Sequence, residues 1–341
     1  MMEGLLRRIG TPHPEKEMPE FLFVLEDTSL GKRFLAFVII FALLFTALGC
    51  ANTQNAKTET LPQGITFTDA LGYSITVDNP QKVAAVTGSF AETWLLAGGE
   101  LAALTEDAYS ERGIEPSDTT EDLGAMKSPD VERMILAGID FVILSAKISE
   151  HVKLRDTLEQ AGMTTAYFSV ETFDDYLAML EICTDITGRA DLYETNGTTI
   201  QRQIDAALAK KEGEEAPSVL LIRAYSTGAK AKGRTNMTGA MLEDLGCVNI
   251  ADQDNGLLEE LSLEEIILND PDYIFVTTMG ASEEAALQTL AEWIQASPAW
   301  SELSAVKNGR YFVLPRNLFH YKPNNRWGES YTVLAEILYG S

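Results

Sequence analysis

Residues 129–145, PDVERMILAGIDFVILS, and residues 261–277, LSLEEIILNDPDYIFVT, are one pattern written twice at a constant offset. The register matches Glu132 with Glu264, Ile135 with Ile267, Leu136 with Leu268 and Asp140 with Asp272. Val131/Leu263, Met134/Ile266 and Phe141/Tyr273 are conservative pairs in the same register. In the first copy apolar residues at helical spacing (Val131, Met134, Ile135) give way to an unbroken apolar run at 141–144. That change of period marks a short helix feeding a buried strand. A repeat of this length predicts two lobes of shared architecture.

Around the first copy, 65–69 and 73–77 alternate apolar and polar residues about Leu71-Gly72, as a surface hairpin does. A buried strand is expected at 83–86, a helix at 90–97 closed by Gly98-Gly99, and strands at 101–105 and 165–168 flanking a helix at 150–160. Such alternation implies a mostly parallel sheet covered on both faces. From 173 to about 211 there is no proline, and the stretch after Arg189 predicts a helix of five or six turns, interrupted at Gly197-Thr198-Thr199. At about 1.5 Å per residue it reaches roughly 30 Å, a stiff strut between lobes. A strand at 218–224 and a helix at 237–245 closed by Gly246 mirror the first lobe. The second copy follows, then a helix at 285–296, a strand at 311–314 and a terminal helix at 327–339. The expected fold is α/β: two Rossmann-like lobes (64–186 and 215–341) with mostly parallel sheets, joined by a connecting helix (187–214), with a ligand cleft between them.

At 341 residues and 45% hydrophobic, the chain can bury a full core. A net charge of −25 argues against a nucleic-acid binder, since phosphates would meet a repelling surface. Most of these charges are expected to form a solvated face. Lys32 and Arg33 precede an apolar run at 34–48 that is short for a membrane span but suits a secretion signal. It ends in Thr46-Ala47-Leu48-Gly49-Cys50, which resembles a bacterial lipoprotein signal, although Ala47 stands where leucine is common. On this reading 1–49 is removed, Cys50 is lipidated, and 50–63 tethers the globular part to the membrane. An uncleaved anchor is the alternative. The long stretch before the basic pair places the expected translation start downstream of Met1. Cys183 and Cys247 fall in apolar patterns in different halves and are expected to be buried thiols, not a disulfide framework.

With the duplicated lobe, the strut and the lipoprotein signal assembled, the chain resembles the substrate-binding proteins of ABC importers for iron chelates, haem and cobalamin. The phrases TGSFAETWLLAGG, SPDVERMILAGIDFVIL, LSLEEIILNDPDYIFV and PAWSELSAVKNGRYFVLP carry the resemblance, from about residue 64 to the end. It implies an exported protein, lipid-anchored to the outer face of the cytoplasmic membrane. Such a protein captures a ferric siderophore, haem or cobalamin and delivers it to an importer permease and its ATPase. A monomer without an intrinsic cofactor is expected. In that family a glutamate at the start of a helix in each lobe docks on arginines of the permease, and Glu132 and Glu264 match those positions. Acids there also complement the helix dipole, and Ser262 with Glu265 fits a capping box, so Glu265 is assigned to capping.

Ligands of open α/β sheets lie beyond the carboxyl ends of strands. That selects Ser89, Phe90, Tyr109, Met126 and Lys147 in the first lobe. In the second it selects Arg223, Tyr225, Met279, Phe319, His320, Tyr321 and Arg326. Together with Lys322, the aromatic and cationic residues suit a large flat or anionic chelate. Trp94, Trp327 and Tyr331 are expected in the core. His320 is either a ligand to a chelated metal or a loop histidine without such a role. No direct metal site is expected, because only His151 and His320 follow the leader. An exported enzyme is disfavoured: there is no nucleophile elbow, no phosphate loop and too few histidines for a Ser-His-acid set. A sensor docking on a signalling receptor would use the same cleft, and the sequence does not separate it from a transporter.

Overall fold

The computed structural model describes residues 64–253 and 255–340. The signal 1–49, the lipidation site Cys50 and the tether to residue 63 lie outside the described residues. A hairpin of β1 (Ile65–Thr68) and β2 (Ser74–Val77) precedes the first sheet. That sheet has β3 (Val83–Ala85), β4 (Ala103–Leu104), β5 (Glu121–Asp122), β6 (Phe141–Ser145) and β7 (Thr164–Phe168) in the order β5-β4-β3-β6-β7, all parallel. The second sheet is built on β8 (Ser218–Tyr225), with β9 (Gly228–Ala231) antiparallel to it. On its parallel path it adds β10 (Val248–Asn249), β11 (Tyr273–Thr278) and β12 (Tyr311–Val313), in the order β10-β8-β11-β12. In each sheet the chain reverses direction of growth at the first central strand, β3 or β8. That switch leaves a crevice at the strands' carboxyl ends.

Both repeat copies fold as helix then strand: Val131–Ala137 into β6 and Leu263–Asn269 into β11. Asp130 caps the first helix by accepting from the Arg133 N–H (3.0 Å), and the Ser262 hydroxyl caps the second by accepting from the Glu265 N–H (3.4 Å). Both helices end on a left-handed residue at the same repeat position, Gly138 (φ 69°) and Asp270 (φ 36°). Glycine takes that conformation freely. Asp270 is held in it by its carboxylate, which accepts from the Ser304 N–H (2.7 Å) and hydroxyl (2.6 Å). The duplicated aspartates then pin each turn to the start of its lobe's first strand. Asp140 accepts from the N–H groups of Gln81 and Lys82 (2.8 and 3.0 Å), just before β3. Asp272 accepts from the N–H and hydroxyl of Ser218 (2.8 and 2.7 Å), which begins β8.

The chain after Phe173–Thr187 turns at Gly188 and is then helical from Ala190 to Lys211, with a π turn at Glu194–Thr198 where Gly197 interrupts the pattern. The Asn196 carbonyl in that turn accepts from Tyr176 (3.0 Å), and its amide donates to the Leu96 carbonyl (2.9 Å). The distortion is therefore satisfied by packing on the first lobe. The terminal helix Trp327–Tyr339 lies along Thr199–Leu208, close enough that a Cβ on Gly328 would sit 2.2 Å from Gln203 Oε1.

Several expectations need correction. The helix expected at 150–160 is two, Ser149–Lys153 and Arg155–Gln160, and the strand expected at 101–105 is only Ala103–Leu104. β9 had no signal, because GAKA is too short and too small to show an alternating pattern. Trp94, Trp327 and Tyr331 are core residues, and Cys183 and Cys247 are free buried thiols pushed up to about 12 by burial. Among the described residues no helix is long and apolar enough to cross a membrane.

Candidate ligand cleft

A cavity of about 250 Å³ opens at the carboxyl end of the first sheet. Thr87, Ser89 and Phe90 line it from the turn and helix after β3, and Lys147 from the end of β6. Met126 lines it as well, and His151 holds the Met126 carbonyl. That buried imidazole accepts from the Ser145 N–H at Nδ1 (3.2 Å), which leaves Nε2 to donate to the Met126 carbonyl (2.7 Å). Burial lowers its pKa, so it is a neutral structural group. The second lobe closes the cavity with His320, Tyr321 and Lys322.

The cations around this space were only partly legible in the sequence. Arg112, with 9% of its side chain exposed, donates through Nη1 to the Lys322 carbonyl (2.6 Å) and pairs with Glu92 (3.1 Å). Arg316 donates to the Gly280 carbonyl (2.8 Å). The two guanidiniums lie 5.7 and 5.2 Å from the Tyr321 ring centroid, so a tyrosine of the second lobe is stacked near cations from both. Arg223 lies near the end of β8, and neither it nor Arg316 is among the residues that line the cavity. Burial, then the charges of Arg223, Arg316 and Arg112, hold the His320 imidazole down to about 4. Lys322 is lowered by burial, against the opposing pull of Glu171. Arg223 Nε, Arg316 Nε, His320 Nδ1 and Thr87 Oγ1 are buried without a hydrogen-bond partner among the described residues. Acids balance part of this charge: Asp107, Glu111 and Glu171 also line the cavity. Glu111 is raised, by burial and by Asp107.

Other candidates sit elsewhere. Phe319 is fully buried in the core, because its helix Arg316–Phe319 turns that face inward, so it is not a cleft wall. Tyr109 packs against the core and donates to the Leu104 carbonyl (3.3 Å). Arg326 is engaged by Glu329 through two bonds of 2.7 and 2.9 Å. Tyr225 lines a separate cavity of about 320 Å³ beside Trp293, and Met279 is exposed. Among the described residues no three His, Cys, Asp or Glu side chains converge as a metal-ligand set.

Glu132 and Glu264 are both exposed, at the second position of their helices. The Asp130 N–H donates to the Leu123 carbonyl (2.9 Å) just past β5, while Lys82 before β3 reaches the Ala137 carbonyl (2.6 Å). The helix thus runs against the strands, with Glu132 at the sheet's carboxyl edge. In the second lobe Leu261 lines a cavity with Tyr225 at the end of β8, and Asp272 bonds to Ser218 at its start. Glu264 occupies the same edge.

Two parallel lobes, a crevice at their switch points and a strut between them are the geometry of a ligand-binding shell. The profile of the periplasmic binding protein family matches residues 83–318. The chain belongs to that family. This periplasmic binding protein is 22% identical over 288 residues to the Fe(3+)-citrate-binding protein YfmC of Bacillus subtilis (strain 168), covering 82% of this chain and 88% of that one. Its fold is similar to the periplasmic catecholate-siderophore binding protein VctP of Vibrio cholerae (TM-score 0.65, 16% identity, 80% of this chain and 99% of that one). It is similar also to S. aureus IsdE complexed with heme (TM-score 0.59, 16% identity, 76% and 98%). Membership makes it an extracytoplasmic binding protein that carries a ligand, not an enzyme with a cofactor of its own.

Proposed function

We propose that this periplasmic binding protein captures a carboxylate-rich ferric chelate and hands it to the permease of an ABC importer. The observation that carries the ligand class is the pair of guanidiniums, Arg112 and Arg316, at the Tyr321 ring in the cavity wall, with an unpartnered buried Nε on Arg316 and another on Arg223. Guanidinium forks match carboxylates in pairs of parallel bonds, and buried cations without full pairing are costly until an anion arrives. The resemblance to a ferric-citrate-binding relative supports this reading. So does the cavity volume, about 250 Å³, just below the usual span of small-molecule sites, which suits a compact chelate. Haem is a second reading, favoured by Met126 and the neutral His320, which line the cavity from opposite lobes as a thioether and an imidazole.

In the same reading the lobes are 64–186 and 215–341, joined by the connecting helix 187–214. Ser89, Phe90, Met126, Lys147, Arg223, His320 and Tyr321 face or flank the ligand. Glu132 and Glu264 dock on permease arginines, the permease works with its ATPase, and the protein acts as a monomer anchored through lipid on Cys50 at the outer face of the membrane. A signalling receptor as partner is the alternative.

The test is titration of the purified chain with ferric citrate, haem and a ferric catecholate, read by tryptophan quenching and absorbance. Saturable binding of ferric citrate, lost in Arg223→Met and Arg316→Met, is expected. Binding of haem or catecholate alone would overturn the ligand class. Incorporation of labelled palmitate, abolished in Cys50→Ala, checks the anchor.

A further inference from the structure

The two repeat copies share four identities, and hydrogen bonds of the fold account for only one of them. Asp140 and Asp272 fasten their turns to β3 and β8. The others, Glu132/Glu264, Ile135/Ile267 and Leu136/Leu268, stand at i, i+3 and i+4, which brings them onto one helical face. That face is not the packed one, which is carried by the buried Met134 and Ile266. Ile135 and Leu136 are 51% and 87% exposed, and Ile267 and Leu268 are 41% and 79% exposed. Leu136 and Leu268 are the two most exposed large hydrophobic residues among the described residues. A single exposed leucine carries no message. The same apolar pair one turn beyond the same carboxylate, in both lobes, does, because core packing gives no reason to keep it.

We propose that each repeat helix is a two-part plug, a glutamate followed by an Ile-Leu pair, and that the pairs seat in apolar hollows of the permease beside the cations that meet the glutamates. This deepens the importer reading and rests on it. The occupant is an integral membrane protein that presents the same composite seat twice, a cation and an apolar hollow about one helical turn (~5.4 Å) apart. Charge argues for that occupant. An anionic bilayer surface would repel a chain of net charge −25, and a second copy would set glutamate against glutamate. The plugs are also distinguishable. The residue after the glutamate is Arg133 in the first lobe, paired with Asp130 at 3.3 Å, and Glu265 in the second. Identical anchors with unlike neighbours fix which lobe meets which seat.

The experiment places a photo-crosslinking benzophenone amino acid at position 136, 268 or, as control, 73 of the full chain in the producing cell. Positions 136 and 268 should both capture one and the same membrane-spanning polypeptide, and position 73 should not. With that polypeptide in nanodiscs, Leu136→Asp and Leu268→Asp should each weaken binding at least tenfold, and wild-type binding should persist in part at 1 M salt, where exposed ion pairs are screened. Ferric citrate titration and thermal unfolding of both variants should match wild type, since these side chains are solvated. Adducts between two copies of the chain, adducts to lipid alone, or binding indifferent to both Leu→Asp changes would overturn the proposal. If Glu132→Ala and Glu264→Ala weaken binding while the leucine variants do not, the importer reading survives and the plug fails. If no membrane protein is captured and neither set matters, both fail.

Discussion

Glu92 stands behind Arg112 and ties it to the other lobe: one carboxylate oxygen accepts from Arg112 Nη1 at 3.1 Å and from Asn324 Nδ2 at 2.6 Å. Asn324 is buried with φ of 51°, a left-handed backbone that its two amide bonds, to Glu92 and to the Ser89 carbonyl (2.9 Å), hold in place. The arginine in the cavity wall and the loop that closes the cavity therefore share one anchor. Glu92→Ala leaves a desolvated guanidinium short of its partner and is expected to cost about 1–3 kcal/mol of stability. Arg112→Met leaves the Glu92 carboxylate and the Lys322 carbonyl without that donor, so it is expected to lower the unfolding temperature as well. In addition it is expected to weaken ferric citrate at least tenfold and abolish the ligand-induced rise in melting temperature. Thermal melts with and without ligand separate the two; an Arg112→Met affinity equal to wild type would remove Arg112 from the site.

The depressed pKa of His320 has a signed consequence for stability. Its folded-state value, about 4, lies below its ordinary 6.5, so the unfolded chain takes up the proton first as pH falls. The contribution is complete above about 6.5, declines as pH drops toward about 4, and is flat below that. His320→Gln should remove up to one proton's worth of slope in that window. Chemical denaturation of both chains at pH 7, 6, 5 and 4.5 reads it directly, and identical slopes would show that the imidazole titrates freely.

Asp140 and Asp272 hold equivalent turns and should behave alike. Each alanine substitution is expected to cost about 1–2 kcal/mol, for the backbone donors lost to solvent at the start of a central strand. Ferric citrate affinity should stay within twofold, because neither residue lines the cavity. A melting temperature unchanged in both variants would make their duplication unexplained by folding.

Gly328 marks the closest approach of the terminal helix to the strut. Gly328→Ala places a methyl against Gln203 and is expected to destabilise by about 1–3 kcal/mol. Gln203→Ala in the same chain should recover only part of that loss, since it removes the amide oxygen and carboxamide carbon but keeps the Cβ, 2.6 Å from the new methyl. A double variant no more stable than Gly328→Ala would place the strain elsewhere. Small-angle scattering with and without ligand should show little lobe movement, as a helix packed along its length resists wide bending.

The sequence by itself determined what repeats along the chain. Periodicity carried the two helix-to-strand units, the terminal helix at Trp327–Tyr339 and the strut, because helical and strand burial leave a local spacing that survives without any partner in view. It also marked Glu132 and Glu264, since duplication is itself a sequence property. Arg112, Glu92 and Arg316 left no such trace. Arg112 sits in an irregular stretch after a five-residue helix, and its role exists only because the loop 320–324 crosses from the other lobe to meet it. Phe319 was misread for the same reason: the helix that turns it inward is four residues long, too short to have a period. Which groups meet across the cavity depends on contacts between residues some two hundred positions apart, such as Arg112 and Lys322. Only the packing of one lobe against the other decides them.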